Sequence, residues 1–188
     1  MAYQHTDTDV IDELITDHRE ALALLDRIVS STDSQERRDL ADTAISEIVR
    51  HSVAEEMYVY PTMRDYLPDG ERLAEHDTRE HKQLEEIMKQ LEDADPPSPG
   101  FDELVRELTD QLRHHAHDEE TEQFPALRQW VPHDDLVELR EKVQTAKKMA
   151  PTRPHPNAPN SSLFHKTVGP GVGMVDRLRD KLANRAQG

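Results

Sequence analysis

Residues 51–68 read HSVAEEMYVYPTMRDYLP and residues 115–132 read HAHDEETEQFPALRQWVP. Six of these eighteen aligned positions are identical, and Tyr/Phe, Met/Leu, Tyr/Trp and Leu/Val exchanges account for four more. Upstream of each copy, DHREAL around His18 matches EHKQLE around His81. Each unit is a helix with one inward histidine, followed by a helix carrying H-x-x-x-E-E and a terminal Tyr-Pro or Phe-Pro. The chain is a duplicated helical hairpin, and two such hairpins stacked antiparallel make a four-helix bundle.

Hydrophobic spacing supports this. Ile11, Leu14, His18, Leu22, Leu25 and Ile28 recur at steps of three and four, after Thr8 or Asp9 as a cap. A second stripe runs from Ser34 to Tyr60 through Ala44, Ile48, His51, Glu55 and Tyr58, with a stop expected at Pro61. The third, Gly70 to Asp93, carries Leu73, Asp77, His81, Leu84, Met88 and Leu91, and PPSPG at 96–100 closes it. The fourth starts near Phe101 and aligns Val105, Leu108, Leu112, His115, Glu119 and Glu122. No segment alternates with the period of a strand. A shorter helix is expected over 135–149, then a Pro-rich linker (PTRPHPNAPN) and a short basic amphipathic helix within GMVDRLRDKLANR. The predicted architecture is all-α: an up-down-up-down four-helix bundle over 8–148, with an additional short helix and a C-terminal tail over 149–188.

Composition narrows the function. The chain has 188 residues and a net charge of −16, which disfavours a bulk nucleic-acid or anionic-membrane binder. Leu, Ile, Val and Phe make about a fifth of the residues, near the composition of disorder, so strict periodicity or a bound metal must supply stability. The absence of cysteine excludes disulfides, thiolate ligands and a Cys nucleophile. No signal-like or membrane-spanning run is visible, and a cytoplasmic protein is expected. Residues 151–188 hold six Lys or Arg and two Asp, so this tail is expected to fold onto the acidic body or reach a protein partner.

The chemistry follows from the histidines. His51 and Glu55, and again His115 and Glu119, are four apart and project from one side of a helix. All lie on stripes otherwise apolar, where an uncompensated carboxylate is strongly disfavoured, so a positive charge must sit between them. With His18 and His81 the seam holds four imidazoles and two carboxylates, a set suited to iron, zinc or manganese, and the duplication suggests two ions. Ferritin-type sites place Glu first, as Glu-x-x-His, and match less well. Tyr58, seven residues after His51, is expected as a core aromatic or as a phenol beside the metal. His114, His117, His133, His155 and His165 read as surface or linker residues.

One His, then H-x-x-x-E-E with Tyr-Pro, then one His, then H-x-x-x-E-E with Phe-Pro, resembles the hemerythrin-like (HHE cation-binding) family over residues 8–148. The resemblance implies a non-haem di-iron centre. His18, His51, His81 and His115 would be terminal ligands, and Glu55 and Glu119 would bridge the irons with an oxo or hydroxo group. Oxygen-carrying hemerythrins use a further histidine one turn before the third-helix ligand; here that residue is Asp77, and Glu85, one turn after His81, and Asp77 itself are possible additional ligands. If neither ligates, each iron keeps about one open position. Two adjacent open positions favour catalase-like or peroxidase-like reaction with hydrogen peroxide, in oxidative-stress protection, over reversible capture of O2. The alternative is an O2- or NO-binding, or iron- or redox-sensing, module without turnover.

Overall fold

The computed structural model describes residues 8–158 and 169–182. Four long helices form the bundle: α1 (Val10–Ser30), α2 (Ser34–Ala54), α4 (Gly70–Asp93) and α5 (Pro99–Asp118). Helix α1 packs on α2 and α5, and α4 packs on α5 and α2, closing an up-down-up-down ring around one core. Among the described residues no helix is long and apolar enough to cross a membrane.

Local chemistry sets the helix ends. Asp9 caps α1 in a reciprocal box with Asp12, and Arg128 reaches from the far end of the second hairpin to bond both carboxylates. Asp33 caps α2 and Ser98 caps α5, where Pro99 sits in the first turn and needs no amide donor. The buried stripe of α1 is Ile11, Leu14, His18, Ala21, Leu25 and Ile28, the expected face with Ala21 in place of Leu22.

Pro61 does not end the second long helix. Glu55–Val59 is a π-helical turn, with the Tyr60 amide bonded to the Glu55 carbonyl, and α3 (Tyr60–Tyr66) continues beyond it. The turn restarts the hydrogen-bond ladder, so Pro61 falls in a new first turn where its missing N–H costs little. The second copy repeats this: Glu119–Gln123 is a π turn, the Phe124 amide bonds the Glu119 carbonyl, and α6 (Phe124–Trp130) follows with Pro125 at its start. Both π turns begin at the seam glutamates.

Helix α7 (His133–Met149) lies outside the ring, against α1, α2 and the first π turn, burying Leu136, Leu139 and Val143. Helix α8 (Gly169–Leu182) approaches the end of α7 through Gly173, where a Cβ would fall 2.5 Å from the Met149 carbonyl oxygen. The start of the tail is not a free linker. Arg153 pairs with Glu92 of α4 and Asp180 of α8, Thr152 bonds Asp180, and His155 sits 2.8 Å from Asp176. Asp176 and Asp180, both buried, are held by these linker residues, and Arg153 carries the ion pair to the bundle. His165 and the residues after Leu182 in the expected basic helix lie outside the described residues.

Candidate metal centre

The fold brings all six seam residues into one closed ring. His18 and His51 meet Nε2 to Nε2 at 3.1 Å, and His81 and His115 do so at 3.2 Å. Glu55 Oε2 lies 3.1 Å from His51 Nε2 and 3.3 Å from His81 Nε2. Glu119 Oε2 lies 3.3 Å from His18 Nε2 and 3.6 Å from His115 Nε2. Each carboxylate thus spans from one histidine pair to the other. His18, His51, His115 and Glu119 form one group with donor atoms in mutual reach, and Glu55, His81 and His115 form a second that shares His115.

Around the ring runs a second one of carboxylates, each gripping the outer nitrogen of a histidine on the next helix. Asp17 Oδ2 faces His51 Nδ1 at 3.2 Å, and Glu56 Oε1 faces His81 Nδ1 at 3.1 Å. Glu80 Oε2 faces His115 Nδ1 at 2.9 Å, and Glu120 Oε1 faces His18 Nδ1 at 3.0 Å. A carboxylate on Nδ1 makes that nitrogen the donor and turns the Nε2 lone pair inward, the arrangement that prepares imidazole for a metal. Every one of these acids is the chain neighbour of a seam residue: Asp17 precedes His18, Glu80 precedes His81, and Glu56 and Glu120 follow Glu55 and Glu119. The full repeated signal is an acid-His pair followed by H-x-x-x-E-E. Its outer acids were legible as a pattern, but not as supports for a different helix.

The ring fits a metal on its own evidence. Glu55 and Glu119 are 0 % exposed, and none of their four carboxylate oxygens has a hydrogen-bond partner. Two lone pairs facing each other at about 3 Å repel unless a cation lies between them, and about 3 Å is the separation of neighbouring donor atoms on one ion with bonds of about 2.1 Å. Burial opposes charge on His51, yet the facing Glu55 and Asp17 push it up to about 10. Burial likewise opposes charge on Glu55, and the facing His51 and His81 hold it well below the usual range.

The halves differ next to the ring. Asp77 is buried, pushed up to about 7 by desolvation and by the Glu119 charge, and takes a 3.0 Å bond from Gln123 Nε2, while its Oδ2 has no partner. The equivalent positions in the first copy are Leu14 and Val59, both apolar and buried.

The hemerythrin HHE cation-binding domain matches residues 9–127. The chain belongs to the hemerythrin HHE family. An uncharacterised hemerythrin-like protein of Schizosaccharomyces pombe is 29% identical over 176 residues, covering 93% of this chain and 87% of that protein. A Nostoc protein named a DNA nickase is 24% identical over 141 residues, 75% of this chain but 40% of the relative's own length. The crystal structure of an HHE domain-containing protein of Mycobacterium kansasii superposes with a TM-score of 0.61 at 24% identity, over 72% of this chain and 83% of that one, and shares the fold. The family is a cation-binding one, and the ring described above is a His/Glu cluster that could hold a metal.

Of the candidate neighbours of the ring, Tyr58 takes its core alternative and Glu85 lies outside the clustered donors. Tyr58 is half-buried against the apolar core, and it is Tyr60 whose hydroxyl comes 3.0 Å from His81 Nε2. The π turn inserts a residue into the helix and so rotates Tyr60, not Tyr58, into the seam. Glu85 belongs to neither group of clustered donors; burial and the nearby Glu56 charge raise its carboxyl, which lies against the backbone at His155. Glu122 is exposed, while its neighbour Gln123 is buried beside Asp77.

Proposed function

We propose that the ring holds two irons and that the protein turns over hydrogen peroxide in a catalase-like or peroxidase-like reaction. His18 and His51 would face one ion and His81 and His115 the other, with Glu55 and Glu119 spanning the two. When bound, such a pair of irons supplies two electrons reversibly, so that one peroxide leaves as O2 and a second is cleaved to water.

The observation that carries this reading is Asp77. At the helix position where an oxygen carrier places a further histidine, this chain has a buried carboxyl with a free Oδ2, held by Gln123. With Gln123 holding Oδ1 and the carboxyl not ligating, a coordination position stays open and Asp77 gives peroxide a place to leave or collect a proton. Around it the protein excludes bulk water, fixes the four imidazoles through Asp17, Glu56, Glu80 and Glu120, and places the Tyr60 hydroxyl at the rim.

Oxygen release after adding hydrogen peroxide to the iron-loaded chain tests this. Turnover that falls in Asp77→Ala with iron content retained supports it; iron-loaded protein that releases no oxygen contradicts it. Binding of O2 or NO without turnover would instead establish a sensor. That reading draws support from Lys147 of α7, which bonds Asp17 at 2.6 Å and so ties an extra helix to His51. The net charge of −16 argues against a nucleic-acid substrate.

A further inference from the structure

The two outer carboxylates that precede the single histidines, Asp17 and Glu80, have opposite surroundings. Asp17 gives one oxygen to His51, and the other is neutralised by Lys147 Nζ at 2.6 Å. Glu80 gives Oε2 to His115, and its Oε1 faces the protein surface, with His76 Nε2 at 3.4 Å and His114 Nε2 at 3.8 Å. His114 Nε2 is in turn 3.7 Å from Asp118 Oδ2.

Two of these three separations are too long for hydrogen bonds. All three lie near the spacing of donor atoms that share one ion: bonds of about 2.0–2.2 Å at tetrahedral angles set donors about 3.3–3.6 Å apart, and the His114 separations are slightly wider than that. The donor atoms of Glu80, His114 and Asp118 lie within 4.8 Å of one another, and those of His76, Asp77 and Glu80 do likewise, with Glu80 common to both. His114 and His76 are 61% and 42% exposed on their side chains, so solvent reaches them, whereas Glu80 is nearly buried. The duplication provides the control. At the positions equivalent to His76, His114 and Asp118 the first copy has Glu13, Arg50 and Ala54. That half offers no imidazole and is covered by α7.

We propose that Glu80, His114 and Asp118, joined by the exposed His76 when its ring turns toward them, form an outer site for a divalent transition-metal ion, which captures metal at the surface one carboxylate away from His115. Two imidazoles and two carboxylates suit ferrous iron, zinc or cobalt. Glu80 would hold the ion on Oε1 while keeping its bond to His115 on Oε2. The capture role rests on the buried ring being a metal centre; the outer site itself does not.

Cobalt(II) titration of the full metal-free chain tests both, read as ions bound per chain and as the rate at which the buried-site absorption grows. Wild type should bind three ions. The exposed double variant His76→Ala/His114→Ala should bind one fewer and fill the ring at least ~10-fold more slowly, as expected when a local concentrating site is lost. Glu55→Gln/Glu119→Gln should keep the outer ion alone. An unchanged count or an unchanged loading rate in the histidine variant overturns the proposal. A wild-type count of one, insensitive to Glu55→Gln/Glu119→Gln but lost with His76 and His114, contradicts the buried centre and the capture role while leaving the outer site standing.

Discussion

Tyr60 and Phe124 occupy equivalent positions in the two hairpins, and each ring lies face to face with an imidazole of the centre. Tyr60 stacks on His81 with centroids 5.4 Å apart, and Phe124 stacks on His18 at 5.9 Å. Both residues directly follow a π turn. The hydroxyl is a difference between the halves, as are Asp77 and Gln123, so the two sides of the ring are chemically unequal although the helices that build them are copies. Tyr60→Phe should fold normally, since phenylalanine already fills the equivalent place, and should change the optical spectrum of the iron-loaded protein. Spectra that superimpose would show that the hydroxyl does not reach the metal environment.

The outer carboxylates act through the histidines they hold. Glu56→Gln and Glu120→Gln, which keep shape and remove charge, should each weaken metal binding about 10–100-fold by leaving His81 or His18 less basic and less fixed. Competition against a chelator of known affinity measures this, and affinities equal to wild type would show that these contacts are incidental.

The repeat made the fold and the six seam residues readable because duplicated polar residues on apolar stripes have few physical explanations. What escaped reading depended on the π turns. They arise where the helix accommodates Glu55 and Glu119 and the following Pro61 and Pro125, and a regular helical period cannot place residues beyond them. That is why the phenol beside the ring is Tyr60, while Tyr58 takes its other expected place, against the apolar core. Glu85 was misplaced for a different reason: its position follows from contact with the tail near His155, a long-range packing choice that local spacing does not encode. The exposed His114 was expected as a plain surface residue, because its relation to Glu80 and His76 exists only across α4 and α5.

Gly70 starts α4 directly against α3. A Cβ there would fall 1.9 Å from the Met63 carbonyl oxygen and 2.9 Å from the Arg64 Cα, both backbone atoms. Gly70→Ala should therefore destabilise the fold by about 1–3 kcal/mol, as overpacking does. Denaturant unfolding would show this, and a midpoint within error of wild type would contradict it.

Stability of the metal-free chain should depend on pH in both directions. His51 is raised to about 10, so its contribution is complete below its ordinary value of 6.5 and is lost as pH rises through about 10. Glu55 is lowered, so its contribution is present above its ordinary 4.5 and is lost as pH falls through the lower folded value. The melting temperature should peak between these ordinary values and decline on the alkaline side from near 6.5. The loaded protein should melt higher throughout and lack the alkaline decline, because the ions replace the protons. A melting curve unchanged by chelation would contradict the link between ring and fold.

The most direct test of the central claim is anomalous diffraction at the iron edge, on crystals of the full chain purified from iron-replete medium. The account predicts two peaks inside the ring, one against His18 and His51 and the other against His81 and His115, with Glu55 and Glu119 between them. A single peak, or a ring without iron whose glutamates are bonded to ordered water, would contradict it.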